Sequence, residues 1–233
     1  MKVLQQYQNI ALITAFEPEA RFIPAHILKI NSGVGLVNAA AATQKLIDFH
    51  QLDLIINLGV AGAISSILKP GDIIIADKLE YLYSDHSRIQ ADNFEKIILA
   101  PIISRKVFQT VNHEDYKGDE FSGDENVSMN TVSKHIESDS NSPKFFLGKI
   151  ASSNYFIDSN RKADVQTMTD ALAVDMESCA IAQVSQANCI DYLIVRIISD
   201  SADQDSIYEE PLDIEKTNAY IKQVTDFVLS LFD

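Results

Sequence analysis

Four stretches of this chain set acidic or other polar residues against apolar runs. The first is Ala15-Phe16-Glu17-Pro18-Glu19, at the end of the apolar run Ile10–Ala15. Two carboxylates there can activate water. They can equally form the acidic first turn of a helix, with Pro18 near its first position. The second is Asn57-Leu58-Gly59-Val60-Ala61-Gly62-Ala63, read as a small-residue turn after an apolar run. Its glycines would let backbone come close to a ligand. It lacks the Lys-Ser/Thr ending of a P-loop and the full dinucleotide fingerprint, so a simple tight turn accounts for it as well. The third is Val174-Asp175-Met176-Glu177-Ser178. Carboxylates two apart on a helix face different ways, so at least one must face the interior or a pocket. A buried carboxylate needs a partner. A vicinal sugar diol offers two donors; a structural ion pair, for instance with Arg196, is the alternative. The fourth is Arg196-Ile197-Ile198-Ser199-Asp200-Ser201-Ala202-Asp203. An Asp after a strand can donate a proton if burial raises its pKa, or it can cap the next turn.

The elements that must position these groups alternate in type. Ile10–Ala15, Ile27–Ile30, Leu54–Leu58, Ile73–Ala76, Phe145–Ala151 and Tyr192–Ile198 are short, nearly continuous apolar runs. They predict strands covered on both faces. Leu36–Phe49 predicts a helix after the Gly33-Val34-Gly35 turn, with small residues at Ala39–Ala42. Ala171–Ala187 predicts a buried helix, apolar on most sides, and Ile214–Phe232 a helix with one core-facing stripe. Strands interleaved with helices give an α/β fold: a single domain over 1–233 with a central mixed, twisted sheet flanked by helices. Residues 113–144 stand apart as a polar, acidic stretch, expected to be a mobile surface loop. Ligands of such sheets gather beyond the carboxyl ends of the strands.

The composition excludes several function classes. The 233 residues carry a formal charge of −14. That disfavours a nucleic-acid backbone or an anionic membrane as partner. No apolar run is long enough to span a bilayer, and Met1–Asn9 has no signal-peptide core. The expected location is cytoplasmic. Cys179 and Cys189 lie in apolar surroundings without metal-ligand spacing and are expected to be free, buried thiols. The five histidines are scattered, so no metal is implied.

Taken together, in this order and spacing, the four stretches resemble the purine nucleoside phosphorylase and nucleosidase superfamily. The most specific matches are Ala173–Ala182 (AVDMESCAIA) and Val195–Gln204 (VRIISDSADQ). Similarity is greatest to the 5′-methylthioadenosine/S-adenosylhomocysteine nucleosidases and runs from Ile10 to about Gln204, with Leu79–Lys144 left out. The resemblance implies hydrolysis of a purine N-glycosidic bond without a metal or organic cofactor, by a homodimer acting on a small nucleoside. It implies Asp200 as the donor to purine N7, positioned by Ser199. It implies Glu177 as the acceptor of the ribose 2′- and 3′-hydroxyls, with Met176 packed on the sugar. Glu19 would deprotonate water with Arg196 nearby, Phe156 would stack on the base, and the backbone of Ile157 would read the base edge.

Water rather than phosphate is expected as nucleophile, because Glu17 and Glu19 stand where the phosphorylases of the superfamily place arginine. Arg21 and Arg88 are the residues that could fold back to favour phosphate. The chain also departs from the resemblance. Val60 replaces a usual Ser or Thr, and only Arg21–Leu28 fills the space between the first helix and the Gly33-Val34-Gly35 turn, which should trim the edge of the sheet. Asn154 stands in place of an Asp, and Ser206–Glu210 is acidic where apolar cover of the 5′ side is usual. A phosphorylase, a futalosine-type nucleosidase and a catalytically silent nucleoside-binding protein are the competing readings.

Overall fold

The computed structural model describes residues 3–82, 97–99, 102–112, 143–200 and 214–232. Its elements in chain order are β1 (Ile10–Thr14), α1 (Glu17–Ala20), β2 (Lys29–Asn31), α2 (Leu36–Phe49), β3 (Leu54–Ala63), β4 (Ile73–Tyr81) and β5 (Ile97–Leu99). They continue with α3 (Ile102–Asn112), β6 (Phe145–Ser152), α4 (Ser159–Met168), β7 (Ala173–Asp175), α5 (Ser178–Ala187), β8 (Asp191–Asp200) and α6 (Ile214–Ser230). All eight strands form one mixed sheet, in the order β2-β1-β3-β7-β6-β4-β5, with β8 paired to both β3 and β4. The pairings β3–β7, β7–β6, β6–β4, β4–β8 and β8–β3 therefore run in a closed circuit.

The apolar runs are strands because both of their faces are covered. Along β3, Ile55 joins the core beneath α2 and α5, which supply Ala39, Leu46 and Cys179–Ala182. Leu54, Ile56 and Leu58 point the other way, to Ile103, Val107 and Phe108 of α3 and to Val224, Phe227 and Val228 of α6. A strand buried on both sides has no polar alternation to show, as the sequence pattern indicated.

Three expectations change. The glycine segment 57–63 is not a turn: β3 continues through it, paired with β8 up to a bulge at Ala61/Gly62. Residues 171–187 are not one helix. Ala173–Asp175 is a short strand inserted between β3 and β6, and α5 begins only at Ser178. Periodicity cannot separate a short buried strand from the apolar helix that follows it. Cys179 is buried as expected, whereas Cys189 is exposed, just beyond α5 with a positive φ of 56°. The expected loop 113–144 lies outside the described residues except for Pro143 and Lys144, and Arg88, His86, His113, His135 and the Ser206–Glu210 stretch lie wholly outside them.

Candidate active site

A cleft opens beside the carboxyl ends of β1, β6, β7 and β8 and the second half of β3. It is lined by Ala15, Phe16 and Glu19, by Val34, by Val60–Gly62, by Tyr155–Ile157, by Val174–Glu177, and by Ser199 and Asp200. Seven of the eight residues proposed from the sequence line this one cleft: Glu19, Phe156, Ile157, Met176, Glu177, Ser199 and Asp200. Arg196 does not line it. Its side chain is 1% exposed and lies behind the carboxylates.

Glu19 and Glu17 divide the two readings of their segment. Glu17 is exposed in the first turn of α1, while Glu19 turns inward and is 2% exposed. One Glu19 oxygen accepts the Ala15 N–H at 2.7 Å and the other accepts the Val60 N–H at 3.0 Å. Burial pushes its pKa up, against the Arg196 charge and these backbone donors. Gly59 makes the arrangement possible. A Cβ on it would sit 2.5 Å from Glu19 Oε1 and 2.6 Å from an Arg196 guanidinium nitrogen. The glycine thus admits two side chains rather than a ligand.

Asp175 and Glu177 also part company. Asp175 takes the structural role. It accepts from Arg196 Nε at 2.8 Å, from Ser152 Oγ at 2.5 Å and from the Ser178 hydroxyl. Arg196 is held further by Asn57 Oδ1 at 2.6 Å, and Asn57 donates to the Ile13 carbonyl at 2.9 Å. Glu177 sits at the N-cap position of α5, and one oxygen accepts the Gly35 N–H at 3.0 Å. Arg196 approaches the other oxygen only to 3.7 Å. Burial and then the Asp175 charge push Glu177 up to about 7, against the pull of Arg196 and the Gly35 amide. One guanidinium thus faces three carboxylates, so the ionised group carries a net charge of −2 and uptake of a proton relieves part of the repulsion.

At the far end of β8, Ser199 Oγ donates to Asp200 Oδ2 at 2.6 Å. The loop after β6 supplies the aromatic wall. Phe156 is 38% exposed and Tyr155 56% exposed, with the Arg161 guanidinium 5.5 Å over the Tyr155 ring and bonded to the Phe156 carbonyl at 3.2 Å.

Residue type alone gives no sign of Phe16, Val34 and Tyr155 in the cleft wall, nor of Asn57, Ser152 and Ser178 behind it. Gly35 was visible only as part of a turn, with no sign that its N–H holds a carboxylate. Val60 contributes a backbone N–H, which does not depend on its departure from Ser or Thr. Among the described residues, no Lys, Arg or His side chain lines the cleft, and Arg21 is exposed outside it. Among the same residues, no group of three or more His, Cys, Asp or Glu side chains is arranged to hold a metal, and no helix is long and apolar enough to cross a membrane.

A sheet of this topology with its carboxylates gathered at the strand ends defines a class that comparison with known proteins identifies. The chain matches the phosphorylase superfamily over residues 25–232. It is 32% identical over 203 residues to the 5′-methylthioadenosine/S-adenosylhomocysteine nucleosidase of Buchnera aphidicola, an alignment covering 83% of this chain and 76% of the relative. The chain belongs to the phosphorylase superfamily and, within it, to the family of these nucleosidases. Solved structures share the fold. A variant of the Helicobacter pylori nucleosidase with 5′-methylthioadenosine in its active site superposes with a TM-score of 0.75 at 20% identity, covering 96% of this chain and 97% of that one. The futalosine hydrolase of the same organism gives 0.74 at 20% identity, covering 97% and 98%.

Proposed function

We propose that this protein hydrolyses the N-glycosidic bond of a purine nucleoside carrying a 5′-thio substituent, of the 5′-methylthioadenosine or S-adenosylhomocysteine type, and releases the free base. The observation behind this reading is the convergence of Glu19, Glu177 and Asp200 on one cleft with an aromatic wall opposite. The base lies against Phe156, its edge read by the backbone of Ile157. Asp200, oriented by Ser199, gives a proton or hydrogen bond to the base and makes it a better leaving group. Positive charge grows on the sugar as the bond lengthens, as in glycoside hydrolysis. Glu177, accepting from the ribose hydroxyls, and Glu19 stabilise that charge. Met176 packs on the sugar. Glu19 takes a proton from the attacking water, which then captures the sugar carbon. A raised pKa brings this base closer to working pH.

The anionic lining disfavours phosphate as nucleophile, because Glu19, Asp175, Glu177 and Asp200 line the cleft and, among the described residues, no cationic side chain does. The 5′ substituent is assigned from the named relative at 32% identity. Arg196 acts from behind, holding Asp175 and facing Glu19 and Glu177. We further propose that residues 1–233 act as one catalytic domain, in the cytoplasm, as a homodimer.

The test is release of free base from methylthioadenosine, S-adenosylhomocysteine, adenosine, inosine and futalosine, each with and without phosphate. Phosphate-independent release, fastest from the two 5′-thio substrates, is expected. Release that requires phosphate would make the protein a phosphorylase. Nucleoside binding without any release would make it a silent binder.

A further inference from the structure

The N-terminus of α2 offers two consecutive backbone donors, and each is taken by a side chain from a different part of the cleft. Gly35, the N-cap residue, has no side chain with which to cap the helix. Its N–H goes to Glu177 Oε1 at 3.0 Å, and the next N–H, of Leu36, goes to Asn154 Oδ1 at 2.9 Å. The two bonds differ in what they anchor. Glu177 belongs to the sugar side of the cleft. Asn154 immediately precedes Tyr155 and Phe156, the aromatic wall.

The other bonds of that loop leave one side of it open. Ser153 is tied to β7 through its N–H to the Asp175 carbonyl at 3.0 Å, and its hydroxyl accepts the Tyr155 N–H at 3.0 Å. Arg161 of α4 holds the Phe156 carbonyl from behind. These contacts fix the loop to its own wall. The Asn154 bond joins it to the N-terminus of α2, next to Val34, which also lines the cleft. Gly35 also matches the approach of Asn154, since a Cβ there would lie 3.3 Å from Asn154 Oδ1. The positive φ of 98° at Gly35 independently favours glycine.

We propose that Asn154 is a positioning residue: by capping α2 beside Glu177, it sets the spacing between the aromatic platform for the base and the carboxylate for the sugar. This rests on the nucleosidase reading above. An amide suits the position because it accepts the Leu36 N–H without adding charge. Among the described residues, the charged groups facing Glu177 are Asp175, Glu19 and Arg196, and α2 contributes the Gly35 N–H. An Asp at 154 would keep the cap and place one more carboxylate on the neighbouring amide.

The test uses the full-length wild type, Asn154→Ala and Asn154→Asp, with base release from methylthioadenosine measured across pH 5 to 9 alongside thermal melting. Wild-type turnover must be seen first, and its absence would count against the nucleosidase reading rather than against Asn154. Asn154→Ala loses the hydrogen bond that joins the aromatic loop to α2. KM should rise about three- to tenfold with kcat within about a factor of two. Asn154→Asp should restore KM and move the acid limb of kcat/KM to higher pH, because the added negative charge makes Glu177 harder to ionise. An unchanged KM in Asn154→Ala would overturn the proposal. So would a fall in kcat and melting temperature without a KM effect, or an Asn154→Asp profile whose acid limb coincides with that of the wild type.

Discussion

Replacing Gly59 by Ala adds one methyl group at the most crowded point behind the cleft. That Cβ would meet Glu19 Oε1 at 2.5 Å and an Arg196 nitrogen at 2.6 Å, about 0.9 and 0.8 Å short of ordinary contact. Neither neighbour can yield cheaply. Glu19 is pinned by the amides of Ala15 and Val60, and Arg196 by Asp175 and Asn57. Overpacking of this kind costs about 1–3 kcal/mol. In a domain of this size that lowers the melting temperature by about 2–12 °C. The catalytic effect should be larger in proportion. Displacing the proposed water base Glu19 by most of an ångström should cost roughly 100-fold in rate. Scanning calorimetry and initial-rate measurement on purified Gly59→Ala read the two effects separately. A variant that melts with the wild type and keeps its kcat would refute the reasoning, because the methyl group would then have found room beside Glu19.

Other outcomes follow from the same network. Asp200→Asn should lower turnover by about 10²–10⁴-fold while nucleoside binding, followed by calorimetric titration, persists; an Asn variant with full activity on an adenine nucleoside removes Asp200 as the acid. Asp175→Ala removes the carboxylate hydrogen-bonded to the buried Arg196, leaving it Asn57 and the more distant Glu177, and should cost about 3–5 kcal/mol in urea unfolding; a loss under 1 kcal/mol would mean that Glu177 and Glu19 balance Arg196 without Asp175. Glu177 is raised to about 7 from an ordinary 4.5, so the folded chain holds a proton that the unfolded chain has released between those values. Its contribution to stability is therefore present at low pH and lost as pH rises through that window. Unfolding free energies from pH 4.5 to 7.5 should fall less steeply in Glu177→Gln than in the wild type, and equal slopes contradict the assignment.

The α/β alternation and the helix Leu36–Phe49 were legible because long apolar periodicity is a strong local signal. The convergence of Glu19, Glu177 and Asp200 was foreseen from order and spacing with the help of family resemblance. Bare residue types left each of them with a structural alternative. The misreadings have physical causes. Gly59 and Gly62 look like turn residues, but here the missing side chain at Gly59 serves a close approach within a strand. Ala173–Asp175 owes its strand state to partners far away in sequence, Gly62 and Ala63 on one side and Ile150–Ser152 on the other. No local pattern reports such pairing. The division of labour between Asp175 and Glu177 was hidden for the same reason, since it depends on which carboxylate meets Arg196 and which meets Gly35.

The closed circuit of β3, β7, β6, β4 and β8 bears on how such a protein can change. The two edges of this sheet, β2 and β5, lie outside the circuit. Neighbours within the circuit part only by breaking ladder bonds, so it holds the ends of β7 and β8, beside Glu177 and Asp200, at a set spacing, with Glu19 tied to β3 through the Val60 amide. Changes of length meet least resistance in segments outside the circuit. Two of this chain's departures fall there: the short Arg21–Leu28 link before β2 and the acidic Ser206–Glu210 stretch beyond β8. Substrate range can then drift at the periphery while bond cleavage stays fixed.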